Sequence, residues 1–225
     1  RHILNATKLL AEKAKELATG WEPKLRIALE STLNHGLFFK VLNEFIEEHE
    51  SLELDISESV LNGGWEALEH DRVDLLVGVP GPVPQQKGFR AVGIEATKMI
   101  PVIAKSHPQA HLLKTPEEFE RILPSLRRVV THDTATKNIT RSVGLSTGKR
   151  ILYVQTMDQK IHAQIAGLGI GHLPEHRIKA LLNEGTFLLL PYSQAPTDNF
   201  IAWKISHKGK ALQALSQRLI KTRWN

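Results

Sequence analysis

Residues 163–176 read AQIAGLGIGHLPEH, and two motifs in them point in different directions. Gly167, Gly169 and Gly171 have the look of a glycine-rich nucleotide loop. His172, Glu175 and His176 spell H-x-x-E-H, the order used by one class of zinc protease. The order of the surrounding elements decides the matter. Upstream, Met157, Ile161 and Ile165 fall at i, i+4, and Thr156 with Gln159 three residues on makes a capping box, so a helix comes first. Residues 168–173 then read as a strand. A dinucleotide loop needs the reverse order, strand then glycines then helix, so that bare N–H groups at a helix start face the phosphate. Gly167 is instead a left-handed helix stop, and Gly169 and Gly171 allow close approach along a strand. Zinc would need His172 and His176 one turn apart on one helix, which Pro174 forbids. What remains is a helix feeding a strand that ends at a proline, followed by a short helix near 177–182. His172 then stands at the carboxyl end of that strand, where a cleft would open.

Working outward, this piece belongs to a repeated unit. Residues 128–130 read as a strand, Asp133 and Thr134 open a helix running to about 143, Ile151, Tyr153 and Gln155 lie on the next strand, and 187–190 form another. An earlier stretch, 24–79, has the same β-α-β-α-β order. Leu25, Ile27 and Leu29 alternate. Ser31 or Thr32 is placed to cap a helix striped by Leu33, Leu37, Val41 and Phe45. Leu52, Leu54 and Ile56 alternate again, Asn62 and Gly63 open a short helix carrying Trp65 and Leu68, and Val73, Leu75 and Val77 close the unit. Such units build parallel sheets with helices on their faces.

Pro80, Gly81, Pro82 and Pro84 end the first unit; strands near 88–95 and 98–104 follow, then a helix at 116–122 with Pro at its first turn. The last strand, 199–205, and a helix striped by Ala211, Leu215 and Leu219 return to the first half. The fold class is therefore α/β, two similar lobes joined by crossing strands, with a ligand cleft between them. Residues 3–18 carry Ile3, Ala6, Leu10, Ala14 and Leu17 on one stripe with Lys and Glu opposite; they read as a helix, either the tail of a coiled-coil linker that packs on something outside the chain or a docked first helix.

Composition narrows the chemistry. The 225 residues are 41% hydrophobic and 24% charged, ordinary for a globular protein. The absence of cysteine excludes disulfide scaffolds and thiolate zinc sites. No apolar run reaches the about 18 residues of a membrane helix, the sequence shows no charged-then-apolar leader pattern, and it begins at Arg1 without an initiator Met, as a fragment or processed product would. The net charge is +5, but no dense basic block suggests nucleic-acid binding by these residues. Ser31, His35 and the His132-Asp133 pair lack the G-x-S-x-G setting of a hydrolase. Glu30 and Asp133 are candidates for paired carboxylates across the cleft, with a capping or ligand-orienting role the more economical. Trp21, Trp65, Trp203 and Trp224 are dispersed and read as packing residues.

The succession of a charged helix, GWEPKLRIALEST (20–32), DRVDLLVGVP (71–80), AQIAGLGIGHLPEH and IAWKISHKGKAL (201–212) resembles the effector-binding domain of LysR-type transcriptional regulators over about residues 20–220. The wording NGGWEALEHDRVDLLVG (62–78) is closest to the purine- and allantoin-responsive branch. The resemblance implies two Rossmann-like lobes of the periplasmic-binding-protein type II kind: lobe I over 21–100 and 199–225, lobe II over 101–198, and the end of a linker helix over 1–20. It implies that DNA is read only by a winged helix-turn-helix absent from this chain. It also implies a small-molecule effector between the lobes, contacted at Ser31, Thr32, Leu61, Asn62, Thr131, His132, Asp133, Thr134, Thr156 and His172. These offer hydroxyls, an amide and helix N-termini, suited to an anionic or hydrogen-bonding ligand. Where the branch carries an Arg two residues after Asp133-Thr134, this chain has Thr136, which removes that anchor for an effector carboxylate.

The resemblance further implies a cytoplasmic homodimer or homotetramer. In it the first helix (33–47) and second strand of one copy face the helix near 136–146 of another. No metal, cofactor, membrane contact or enzymatic activity is expected. A transport-type solute-binding protein of the same fold is the alternative; a small α/β enzyme is a third reading, disfavoured because no nucleophile, metal set or cofactor loop stands out.

Overall fold

The computed structural model describes residues 20–137, 150–192 and 196–224. The expected helix over 3–18 and most of the one expected from Asp133 to about 143 lie outside them.

Lobe I is a sheet of five strands in the order β2-β1-β3-β10-β4: β1 (Lys24–Glu30), β2 (Glu53–Ser59), β3 (Leu75–Pro80), β4 (Phe89–Ile94) and β10 (Asn199–Lys204). β1 pairs parallel with β2 and β3, and β10 runs antiparallel between β3 and β4. Lobe II repeats the pattern. β6 (Arg128–Thr131) and β7 (Ile151–Val154) pair parallel, and β5 (Met99–Ala104) lies antiparallel between β8 (Gly171–Pro174) and β9 (Phe187–Leu189). A parallel bridge from Arg128 to Ile170 joins the two pieces, with Val129 N donating to Ile170 O and Ile170 N to Arg127 O, both at 2.9 Å. The second lobe therefore reads β7-β6-β8-β5-β9, position for position the order and direction of the first. The chain crosses between lobes at 95–98 and again before β10.

Helices α1 (His35–Glu47), α2 (Asn62–Glu69) and α6 (Lys210–Lys221) cover the first sheet; α3 (Pro116–Ile122), α4 (Met157–Ile165) and α5 (Glu175–Asn183) belong to the second lobe. Because both faces of sheet I are covered, β3 is buried at every position rather than at alternate ones. Leu25, Ile27 and Leu29 pack with Phe38, Phe45, Leu215 and Leu219 on one side; Ala28, Leu76 and Ala202 pack with Trp65 and Leu68 on the other.

Several local expectations change. Neither Ser31 nor Thr32 caps α1: Ser31 N still donates to Ser59 O, extending the strand ladder, and the Asn34 side chain accepts from Leu37 N at 3.3 Å. The buried stripe of α1 is accordingly Phe38, Leu42 and Phe45, with Leu37 and Val41 half-buried and Leu33 in the preceding turn. Thr156 does cap α4, accepting from Gln159 N at 3.1 Å, but Gln159 reaches back to Gln155 N at 2.8 Å rather than to Thr156 N. Asp133 and Thr134 are not helical; residues 132–135 run irregularly across to lobe I. The strand expected at 168–173 is confined to β8, because Gly169 and Ile170 turn to meet β6: a Cβ on Gly169 would lie 2.3 Å from Arg127 O. Gly167 does stop α4, at φ 73°.

Candidate functional site

The carboxyl ends of β1, β3 and β6 and the two crossing segments enclose a cavity of about 350 Å³ between the lobes. Ser31, Thr32 and Leu61 line it from lobe I, and Thr131 and His172 from lobe II. These five expected contact residues are brought together. The other five are not at its wall. Thr156 is occupied as the α4 cap. His132 stacks on Tyr153 at 4.8 Å. Asn62 begins α2.

Asp133 and Thr134 clasp one lobe to the other. Asp133 Oδ1 accepts from Gly63 N at 3.1 Å, and the Thr134 hydroxyl accepts from Val60 N at 3.0 Å while Thr134 N donates to Val60 O at 3.2 Å. Gly63 makes this approach possible, since a Cβ there would stand 1.8 Å from Thr134 Oγ1. The buried Glu66 continues the clasp: its Oε2 accepts from Thr136 N (3.0 Å) and Lys137 N (2.9 Å), and its Oε1 accepts from the Thr136 hydroxyl (2.7 Å) and Arg72 (3.0 Å). Thr136 thus serves lobe docking.

The buried ionisable side chains on the cavity wall are Glu30 and His172, both expected at the cleft, and Lys160, which was not. Glu30 ends β1, fully enclosed; its Oε1 accepts from the Ser31 hydroxyl (3.2 Å) and its Oε2 from Leu61 N (3.2 Å). Burial pushes its carboxyl well above the usual range, helped by the Glu58 and Asp133 charges and opposed by those two donors. Leu61 reaches Glu30 from a backbone with φ 55°, left-handed territory that costs a branched side chain about 1–3 kcal/mol. From α4, Lys160 enters the wall with 6% of its surface exposed, and burial lowers its ammonium to about 8. Burial, then the Lys160 charge, lowers His172 to about 4, so its imidazole is neutral near pH 7. Its Nε2 has no hydrogen-bond partner among the described residues. Met99, Ile100, Met157 and Tyr192 supply apolar wall. His172 lies on β8 and His176 on α5, so the H-x-x-E-H spacing does not gather its histidines on one helix.

Lys160 was hidden by the reading of α4 as a stripe of Met157, Ile161 and Ile165. The buried face is Met157, Lys160, Ile161 and Gln164, and a lysine three residues from Met157 on that face was the available signal.

Residues 18–222 match the model of the LysR substrate binding domain. The chain belongs to that family. The LysR domain is 28% identical over 188 residues to the uncharacterized HTH-type transcriptional regulator YeeY of Escherichia coli K12, covering 84% of this chain and 60% of that protein. It is 28% identical over 225 residues to the regulator PunR of the same strain, covering 97% and 71%. AllS of Salmonella paratyphi A, an HTH-type transcriptional activator, is 27% identical over 160 residues, covering 70% and 51%. The fold matches the regulatory domain of AphB from Vibrio vulnificus with a TM-score of 0.64 at 18% identity, covering 88% of this chain and 98% of that one. The chain spans 60% of YeeY and about half of AllS. It is an effector-binding domain of the LysR type, and its relatives are transcriptional regulators rather than enzymes. No helix among the described residues is long and apolar enough to cross a membrane.

Proposed function

We propose that this domain senses a small metabolite held in the interlobe cavity and passes occupancy to a DNA-binding segment of the same regulator through the spacing of its lobes. Ser31, Thr32, Leu61, Thr131 and His172 form the contact set, together with Glu30 and Lys160. Asp133, Thr134, Asn62, His132 and Thr156 act around the site, the first two by holding the lobes in register. The lobes are taken as 21–100 with 199–225, and 101–198, and residues 1–20 as the end of a linker helix from a winged helix-turn-helix. The working unit is a cytoplasmic homodimer or homotetramer.

The observation that carries this reading is the enclosed cavity at matching strand ends, with the buried His172 Nε2 on its wall lacking a hydrogen-bond partner and the buried Lys160 lacking an ion pair among the described residues. Leaving such groups unmatched costs stability, so a fold that retains them gains when a ligand satisfies them. The test is thermal unfolding against a metabolite panel, followed by small-angle scattering of each hit. A true effector raises the midpoint in a concentration-dependent way and alters interlobe spacing; a panel with hits that never alter the scattering would contradict the sensing role.

A further inference from the structure

The cavity wall also restricts the chemistry of its occupant. Of the titratable residues on it, Lys98 is exposed at the mouth and paired with Glu175 at 2.8 Å. Tyr192 stands edge-on to His172, ring centroids 5.7 Å apart. Glu30 is committed to Ser31 and Leu61 in lobe I and makes no ion pair with Lys160 within 4 Å, so Lys160 has no counter-ion among the described residues. Lys160 and His172, both more than nine-tenths buried, lie on the same lobe II wall: the Lys160 ammonium makes no ion pair among the described residues, and the His172 Nε2 finds no hydrogen-bond partner among them. Opposite them Glu30 is the ionisable group of the wall, and burial disfavours its charge.

Resting on the proposed effector site, we infer that the effector is a small organic monoanion: its oxyanion is held by Lys160 with His172, and its far end carries a neutral hydroxyl or amide that meets Glu30 and Ser31. One uncompensated cation matches one negative charge. A dianion would leave the second charge against the apolar wall or Glu30, and a cation would face Lys160 with nothing to offset it. The apolar lining, including Val60, Ile100, Val130 and Met157, suits a hydrocarbon or ring body. The lowered Lys160 ammonium agrees with this, because a group ionised at neutral pH yet starved of partners gains most from an anion.

The experiment uses three pools built on common skeletons: hydroxy-monocarboxylates, their primary amides, and the matching amines. Each is titrated into the domain with the methyl resonances of the cavity residues Met99 and Met157 as readout. Hits are expected in the carboxylate pool. Lys160→Gln should weaken them about ten- to a hundredfold, as loss of a charge-assisted hydrogen bond does, and Lys160→Met should do the same. In the unaltered protein, affinity should fall about tenfold per pH unit above about 8, as Lys160 loses its proton. Methyl shifts from the amides or amines alone, or carboxylate affinity indifferent to both substitutions and to pH, would overturn the inference while leaving the cavity as the effector site. Pools that move neither methyl would overturn both.

Discussion

Lys160 lies across Gly171: a Cβ on that glycine would stand 3.3 Å from the Lys160 Cε, 3.0 Å from Val129 O and 2.9 Å from Gln164 Nε2. The glycine thus leaves room for α4 to set its one buried cation against β8, beside His172. The GLGIG run reads as a packing device that shapes the cavity wall.

Gly171→Ala therefore crowds backbone and two side chains at once. Overpacking of this kind costs about 1–3 kcal/mol, partly offset by the lower entropy of unfolded alanine. Urea unfolding should show a lower midpoint with an unchanged slope; an unshifted midpoint would mean the neighbours yield freely.

The buried Lys160 makes stability depend on pH in a defined direction. Its folded value of about 8 lies below the ordinary 10.5. Below pH 8 both states hold the proton and the burial penalty is complete. Between 8 and 10.5 the unfolded chain binds more protons, so stability rises with pH, by about 3 kcal/mol across the window for this group alone. His172 is neutral throughout that window and does not contribute. Lys160→Met should stabilise the unliganded domain at pH 7 and flatten the rise. A parallel pH–stability curve for the variant and the parent would refute the assignment.

The interlobe clasp is tested at Glu66. Glu66→Ala leaves Thr136 N, Lys137 N and the Thr136 hydroxyl without their acceptor and should cost about 3 kcal/mol. Amide exchange at Thr136 and Lys137 should accelerate relative to the sheet I core. Protected amides at those two positions would show that the clasp does not depend on this carboxylate.

Thr32→Val and Asn34→Ala separate binding from folding. Asn34 carries the cap of α1, so its loss should lower stability by about 1 kcal/mol. Thr32 lines the cavity and caps nothing, so its loss should leave unfolding nearly unchanged and weaken the effector several-fold. Calorimetry and unfolding on both variants check the pair; the reverse pattern would return the cap to Thr32.

Much of the architecture was legible because period and punctuation agreed. Leu25, Ile27 and Leu29 gave β1, Pro116 marked the start of α3, and Gly167 stopped α4. The cap of α1 was misread because Ser31, Thr32 and Asn34 are all competent caps, and only the extension of the β1–β2 ladder to Ser31 N removes the first from contention. The site was half legible. Strand order alone places His172 at the cleft, while Ser31 and Thr131 follow from the family resemblance. Whether Asp133 and Thr134 face a ligand or the other lobe is set by the approach of Gly63, a contact 70 residues away in sequence with no local signature. Lys160 escaped the stripe of Met157, Ile161 and Ile165 because the direction of a helix face depends on what it packs against.

Met99 and Met157 are the chain's two methionines, and both line the cavity. Their methyl resonances therefore report occupancy of the proposed site with no other methionine signal from the chain. Titration with any metabolite that raises the unfolding midpoint should move both methyls saturably, with the dissociation constant found by calorimetry. A stabilising metabolite that leaves both in place would put the effector somewhere other than between the lobes.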